Sequence, residues 1–75
     1  MSKEKPEVGD VWKHRSGEKY YIYNVFEDKL VRGFAILKSG RMDAFCYLMD
    51  DFVRCHTYLG KSKANINDLF EVNND

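Results

Sequence analysis

The stretch MDAFCYLMDDFVRCHTYLG, residues 42–60, fits two different folds. Read at helical spacing, Phe45, Leu48, Met49, Phe52 and His56 share one side, Asp43 is placed to cap the start, and Gly60 lies just beyond the end. Read as strand, AFCYLM (residues 44–49) is a short apolar run between the Ser39-Gly40-Arg41 turn and Asp50-Asp51. The first reading gives an α+β protein, a three-stranded sheet with a helix over 43–56. The second gives a mainly β protein of about five strands, with a single helical turn at 50–53 and a last strand over 54–59.

The residues before this stretch are strand-like throughout. Residues 1–7 are charged, include the only proline, Pro6, and read as a flexible lead-in to one domain over 8–72. A first strand over 10–14 carries Val11 and Trp12; Ser16-Gly17 marks a hairpin turn, and residues 19–26 are dense in Tyr, Ile, Val and Phe. Glu27-Asp28-Lys29 breaks the pattern before LVRGFAILK, residues 30–38, where Gly33 suggests a bulge or bend. Near the C-terminus, Ile66, Leu69, Phe70 and Val72 are spaced for a short helix capped by Asn65, followed by a frayed end over 73–75.

Seventy-five residues make one domain, and aromatic residues at 15% are its main source of buried area. The aromatics outnumber what one small interior holds. In residues 19–26, Tyr21, Tyr23 and Val25 alternate with Tyr20, Ile22 and Phe26; in residues 42–49, Phe45, Tyr47 and Met49 alternate with Met42, Cys46 and Leu48. Trp12 and Ile22 are assigned to the inside, and Tyr21 and Tyr23 to the outside beside Lys13 and Arg15. The surplus rings and methionines suit an interface, with a partner protein or with a second copy of the chain.

The opening VGDVWKHRSGEKYYI, residues 8–22, resembles that of a family of small bacterial and phage proteins with an SH3-like β-barrel. Gly9, Trp12, Lys13, His14, Gly17, Tyr20 and Ile22 carry the resemblance, and Phe45 and Phe52 fit two later aromatic positions. Tyr47 and Leu48 stand where the family tends to have Arg and Pro. The resemblance implies a small SH3-like barrel and a phage or prophage origin, and it favours the mainly β reading of residues 42–60.

Chemistry is sparse. Twelve basic and twelve acidic residues give no net charge, which is atypical both of dedicated nucleic-acid binders and of nucleic-acid mimics. Neither cysteine belongs to a Cys-x-x-Cys pair, and Cys46, Cys55, His14 and His56 match no zinc spacing, so no metal or other cofactor is expected. No apolar run is long enough to span a membrane and the N-terminus lacks a signal-peptide core, so the expected location is the cytoplasm, the host's if the protein is phage-encoded. His14 has no triad context, and Asp50-Asp51 read as solvated acids at a helical turn; the protein is expected not to be an enzyme. The expected binding residues are Lys13, His14, Arg15 and Lys19 with Tyr21, Tyr23 and Tyr47. They point first to a host protein as partner and alternatively to nucleic acid, whose bases stack on rings while phosphates meet Lys or Arg.

Overall fold

The computed structural model describes residues 5–62 and the pair 72–73. Its elements are β1 (Asp10–His14), β2 (Lys19–Phe26), β3 (Leu30–Ile36), β4 (Met42–Leu48), α1 (Met49–Cys55), β5 (His56–Ser62) and β6 (Val72–Asn73). All strand pairs are antiparallel, in one sheet ordered β4-β3-β2-β1-β5-β6. The protein is therefore mainly β, with one short helix among the described residues. None of its described helices is long and apolar enough to cross a membrane.

Residues 42–60 resolve into both periodicities, one after the other. Met42–Leu48 alternates between exposed and half-buried positions, with Asp43, Phe45 and Tyr47 turned inward. The helical spacing then takes over, and Met49 and Phe52 are its buried positions. The helix runs for seven residues, longer than the single turn expected over 50–53, and β5, the strand expected over 54–59, accordingly begins at His56. Asp50 and Asp51 lie in the first turn and Arg54 in the last, matching the helix dipole, although no side chain caps the N-terminus. Val72–Asn73 pairs with Lys61 and Ser62, where the sequence reading puts a helix end and a frayed terminus. Ile66, Leu69 and Phe70 lie outside the described residues.

The sheet is curled. Three strands separate β4 from β5, so a flat sheet would hold them roughly 19 Å apart. Yet the rings of Tyr47 in β4 and His56 in β5 are 5.3 Å apart. The core fills this curl with Trp12, Ile22, Val31 and Phe52, all essentially inaccessible. Phe52 touches rings from four strands: Trp12, Tyr20, Phe45 and Tyr47, and His56. Burying one such side chain contributes about 1.5–3 kcal/mol.

Two irregularities set which side chains face in. Between Ile22 and Asn24 the β2–β3 register shifts, leaving Tyr23 without a partner opposite. This bulge reverses the expected alternation: Val25 packs on the core, and Phe26 is turned out and half exposed. Gly33 stands at the same place in β3, against Ile22 and Phe45. A Cβ there would lie 1.8 Å from the Tyr21 carbonyl oxygen and 2.9 Å from the Phe45 ring. The bulge expected at Gly33 thus sits in the neighbouring strand, and the glycine is what lets β2 and the Phe45 ring come close.

A polar knot joins β1 to β5. The carboxylate of Asp10, fully buried, accepts from the Glu7 backbone N–H at 2.9 Å, from Trp12 Nε1 at 3.3 Å and from Lys61 Nζ at 2.8 Å. The Lys61 ammonium is held above its ordinary pKa, chiefly by the hydrogen bond to Asp10. A buried carboxylate is tolerable only with its lone pairs satisfied in this way.

Gly33→Ala should lower stability by about 2–3 kcal/mol, because backbone rather than a flexible side chain must move. Urea unfolding at pH 7 would show a lower midpoint with an unchanged slope. The β2–β3 turn offers the opposite change. Glu27 and Asp28 both have left-handed φ, of 51° and 56°, a conformation suited to Asn-Gly. Glu27→Asn with Asp28→Gly should raise the midpoint, by about 1 kcal/mol of stability.

Candidate functional site

The seven residues singled out from the sequence divide between the two faces of the sheet and one turn. Lys13, Lys19, Tyr21 and Tyr23 lie on the outer face. His14 and Tyr47 lie on the inner face, with the core. Arg15 is in the β1–β2 turn, where its backbone N–H donates to the Cys55 carbonyl at 3.1 Å and its guanidinium approaches the Cys55 thiol at 3.7 Å. The expected surface beside Tyr21 and Tyr23 therefore keeps Lys13 and Lys19 and loses Arg15, His14 and Tyr47.

The outer face is built in cross-strand rows. Lys13, Lys19, Ile36 and Met42 form one, and Val11, Tyr21, Phe34 and Ala44 the next. Asn24, Arg32 and Cys46 follow, then Phe26, Leu30 and Leu48. The bulged Tyr23 lays its ring against Phe34 at 5.1 Å, and Tyr23 remains 46% exposed. Phe26, Met42 and Leu48 are also about half exposed or more. These rows carry three cations (Lys13, Lys19 and Arg32) and no acid. Lys13 and Lys19 face each other directly, a like-charge pairing that costs stability and that an anionic partner would relieve.

Phe34 and Arg32 escaped the sequence reading. Their signal was present, because LVRGFAI alternates and Val31 and Ala35 are the inward set. Only the register shows that this outward set meets Tyr21 and Tyr23.

The inner face holds a histidine nest. His14 and His56 are opposite each other across β1–β5, with rings 4.8 Å apart. His56 is almost fully buried and stacks on Phe52 at 4.0 Å, and the Tyr20 and Tyr47 rings lie against it. Its Nδ1 is 2.8 Å from the Phe52 carbonyl, so Nδ1 carries the proton and donates. Nε2 is then a bare acceptor, with no hydrogen-bond partner among the described residues. Burial pushes the imidazole pKa down to about 4; the Phe52 carbonyl works against this, and the charges of His14 and Arg15 add to it. Burial also pushes the Tyr20 phenol up to about 12, helped by its hydrogen bond with Tyr47. Both groups are neutral near pH 7 and serve packing. Cys46 is exposed on the outer face, so the two cysteines and two histidines do not converge, and the described residues hold no cluster of three or more metal-ligating side chains.

A groove of about 320 Å³ opens between the β1–β2 turn and the end of β3, lined by Ser16, Gly17, Glu18, Lys19, Ile36, Leu37 and Lys38. It adjoins the outer face through Lys19 and Ile36. No family model, curated protein or solved structure matches the chain.

His56 should make the fold acid-sensitive in a defined window. Its folded pKa lies below that of the unfolded chain, about 6.5, so from pH 6.5 down to 4 the unfolded chain takes up a proton that the folded one refuses. Stability should fall across that window by up to about 3 kcal/mol and then level off as far as this group is concerned. Urea midpoints measured from pH 8 to 4 would show it. In His56→Phe the fall between pH 6.5 and 5 should disappear; an unchanged slope would contradict the assignment.

Proposed function

We propose that this protein is a non-enzymatic binding module and that the outer face of its sheet docks a partner protein. The observation that carries this reading is the exposed Tyr23 ring, lying against the half-buried Phe34 and set among Phe26, Met42 and Leu48, with Lys13, Lys19 and Arg32 at its edge. Tyrosine, methionine and arginine are the residues that interface cores favour. A partner for this face presents an apolar patch with acidic groups at its margin. The strand order, with α1 between β4 and β5, supports an SH3-like barrel; the resemblance in residues 8–26 alone is what favours a phage-encoded protein acting on a host protein in the host cytoplasm.

The same cations and rings favour a second reading, single-stranded nucleic acid stacked on Tyr23 and Phe34. Protein is preferred on two grounds. The exposed surface continues through Phe26, Leu48 and Met42, where aliphatic side chains outnumber rings. Zero net charge also supplies no long-range attraction to a polyanion.

The two readings separate by salt and by mutation. With a host-protein partner isolated on immobilised chain, Tyr23→Ala should weaken binding at least tenfold, Lys13→Glu should slow association, and Tyr47→Phe should leave binding unchanged. For a single-stranded oligonucleotide, three cations on phosphates would give a slope of log affinity against log salt near −2. A steep slope of that kind, together with no stoichiometric protein partner, would replace the first reading by the second.

A further inference from the structure

β4 ends the sheet, with β3 on one side and no strand among the described residues on the other. Which backbone groups face that open side follows from the two hydrogen bonds that bracket the β3–β4 ladder. Leu37 N–H donates to the Arg41 carbonyl, and Met49 N–H donates to the Lys29 carbonyl. The register between them is unbroken, and in an antiparallel ladder hydrogen-bonded and non-hydrogen-bonded pairs alternate. Asp43, Phe45 and Tyr47 therefore direct their N–H and C=O groups to β3. Those of Met42, Ala44, Cys46 and Leu48 point out of the sheet.

Edge strands are ordinarily blunted by lysine, proline or a bulge. β4 has none of these; its only protection is the inward-facing charge of Asp43, which the Arg41 guanidinium offsets at 3.3 Å. We propose that two copies of this chain pair antiparallel through β4, about a two-fold axis at Phe45. Only a register that sets even-numbered residues against even-numbered ones uses the outward groups, and the one centred on Phe45 uses all of them. Met42 then faces Leu48 of the second copy, and Ala44 faces Cys46, each as a hydrogen-bonded pair. Asp43 faces Tyr47, and Phe45 faces its own counterpart. No charge meets its like, and the carboxylate meets a phenol. The strand is thus its own complement in hydrogen bonding, apolar contact and charge. The pairing joins the two sheets and does not depend on the outer face binding a partner.

Sedimentation velocity and thiol cross-linking test the register. The wild-type chain should sediment as a dimer that dissociates on dilution. Cys46→Lys should sediment as a monomer with an unchanged circular dichroism spectrum, and so should Ala44→Pro, which deletes an N–H that β3 does not use. In a Cys55→Ser background, Ala44→Cys places a thiol opposite Cys46 of the second copy at a Cα separation of about 5.5 Å, within disulfide range. Mild oxidation should then give a covalent dimer on a non-reducing gel. Cys55→Ser alone should not, because its Cys46 thiols lie diagonally across the axis. A wild-type chain that stays monomeric at millimolar concentration would overturn the proposal. So would a dimer that survives Cys46→Lys and is not trapped by Ala44→Cys.

Discussion

A single sheet can dry one of its faces by curling, and the curl closes only if something fills the space where the strands do not meet. Here Phe52 fills it. Because α1 leaves the end of β4 and returns into β5, its one fully buried ring comes to rest against β1, β2, β4 and β5 together. The Tyr47–His56 approach, the stacking of His56 and the neutrality of its imidazole all depend on that ring being in place. The opposite face has no such filler among the described residues. Val11 in β1 is fully covered there, but Tyr23, Phe26, Met42 and Leu48 stay about half exposed, and that makes the part of this face on β2, β3 and β4 the candidate binding surface.

Much of this fold is legible in the residues. The limits of β1 and β2, the hairpin at Ser16-Gly17, the buried Trp12 and Ile22 and the outward Tyr21 and Tyr23 follow from alternation and turn chemistry. Residues 42–60 looked contradictory because they change period partway: Phe45 obeys the strand spacing and Phe52 the helical one. Strand-end arithmetic failed where a single residue was added. The bulge at Tyr23 cannot be placed from composition, and it exchanges the faces of Val25 and Phe26. Tyr47 counts among the expected binding residues, and the alternation cannot say which side it takes, because both alternations of residues 42–49 are apolar. The helix that follows decides between them, since Met49 and Phe52 must share the inner side with Tyr47.

Neutrality of the whole chain conceals a separation of charge. The acids of the described chain sit mostly at turns, at the helix start or in the Asp10 knot, while the outer rows carry Lys13, Lys19 and Arg32 alone. Totals report nothing about such segregation, whereas the register does. A face of this kind attracts at contact distance, beyond which its field is cancelled within about a Debye length. Recognition by such a surface rests on fit more than on steering.

The pairing of β1 with β5 has a consequence for how the molecule comes into being. His14 meets His56, and Asp10 meets Lys61, so the first strand made waits for the last long one. During synthesis β1, β2, β3 and β4 can form a meander by local pairing as they emerge. Asp10 remains solvated and Trp12 uncovered until β5 arrives. Contacts this distant along the chain slow folding. The closing step is therefore the late one, and until it occurs the nascent chain has an open sheet edge at each side.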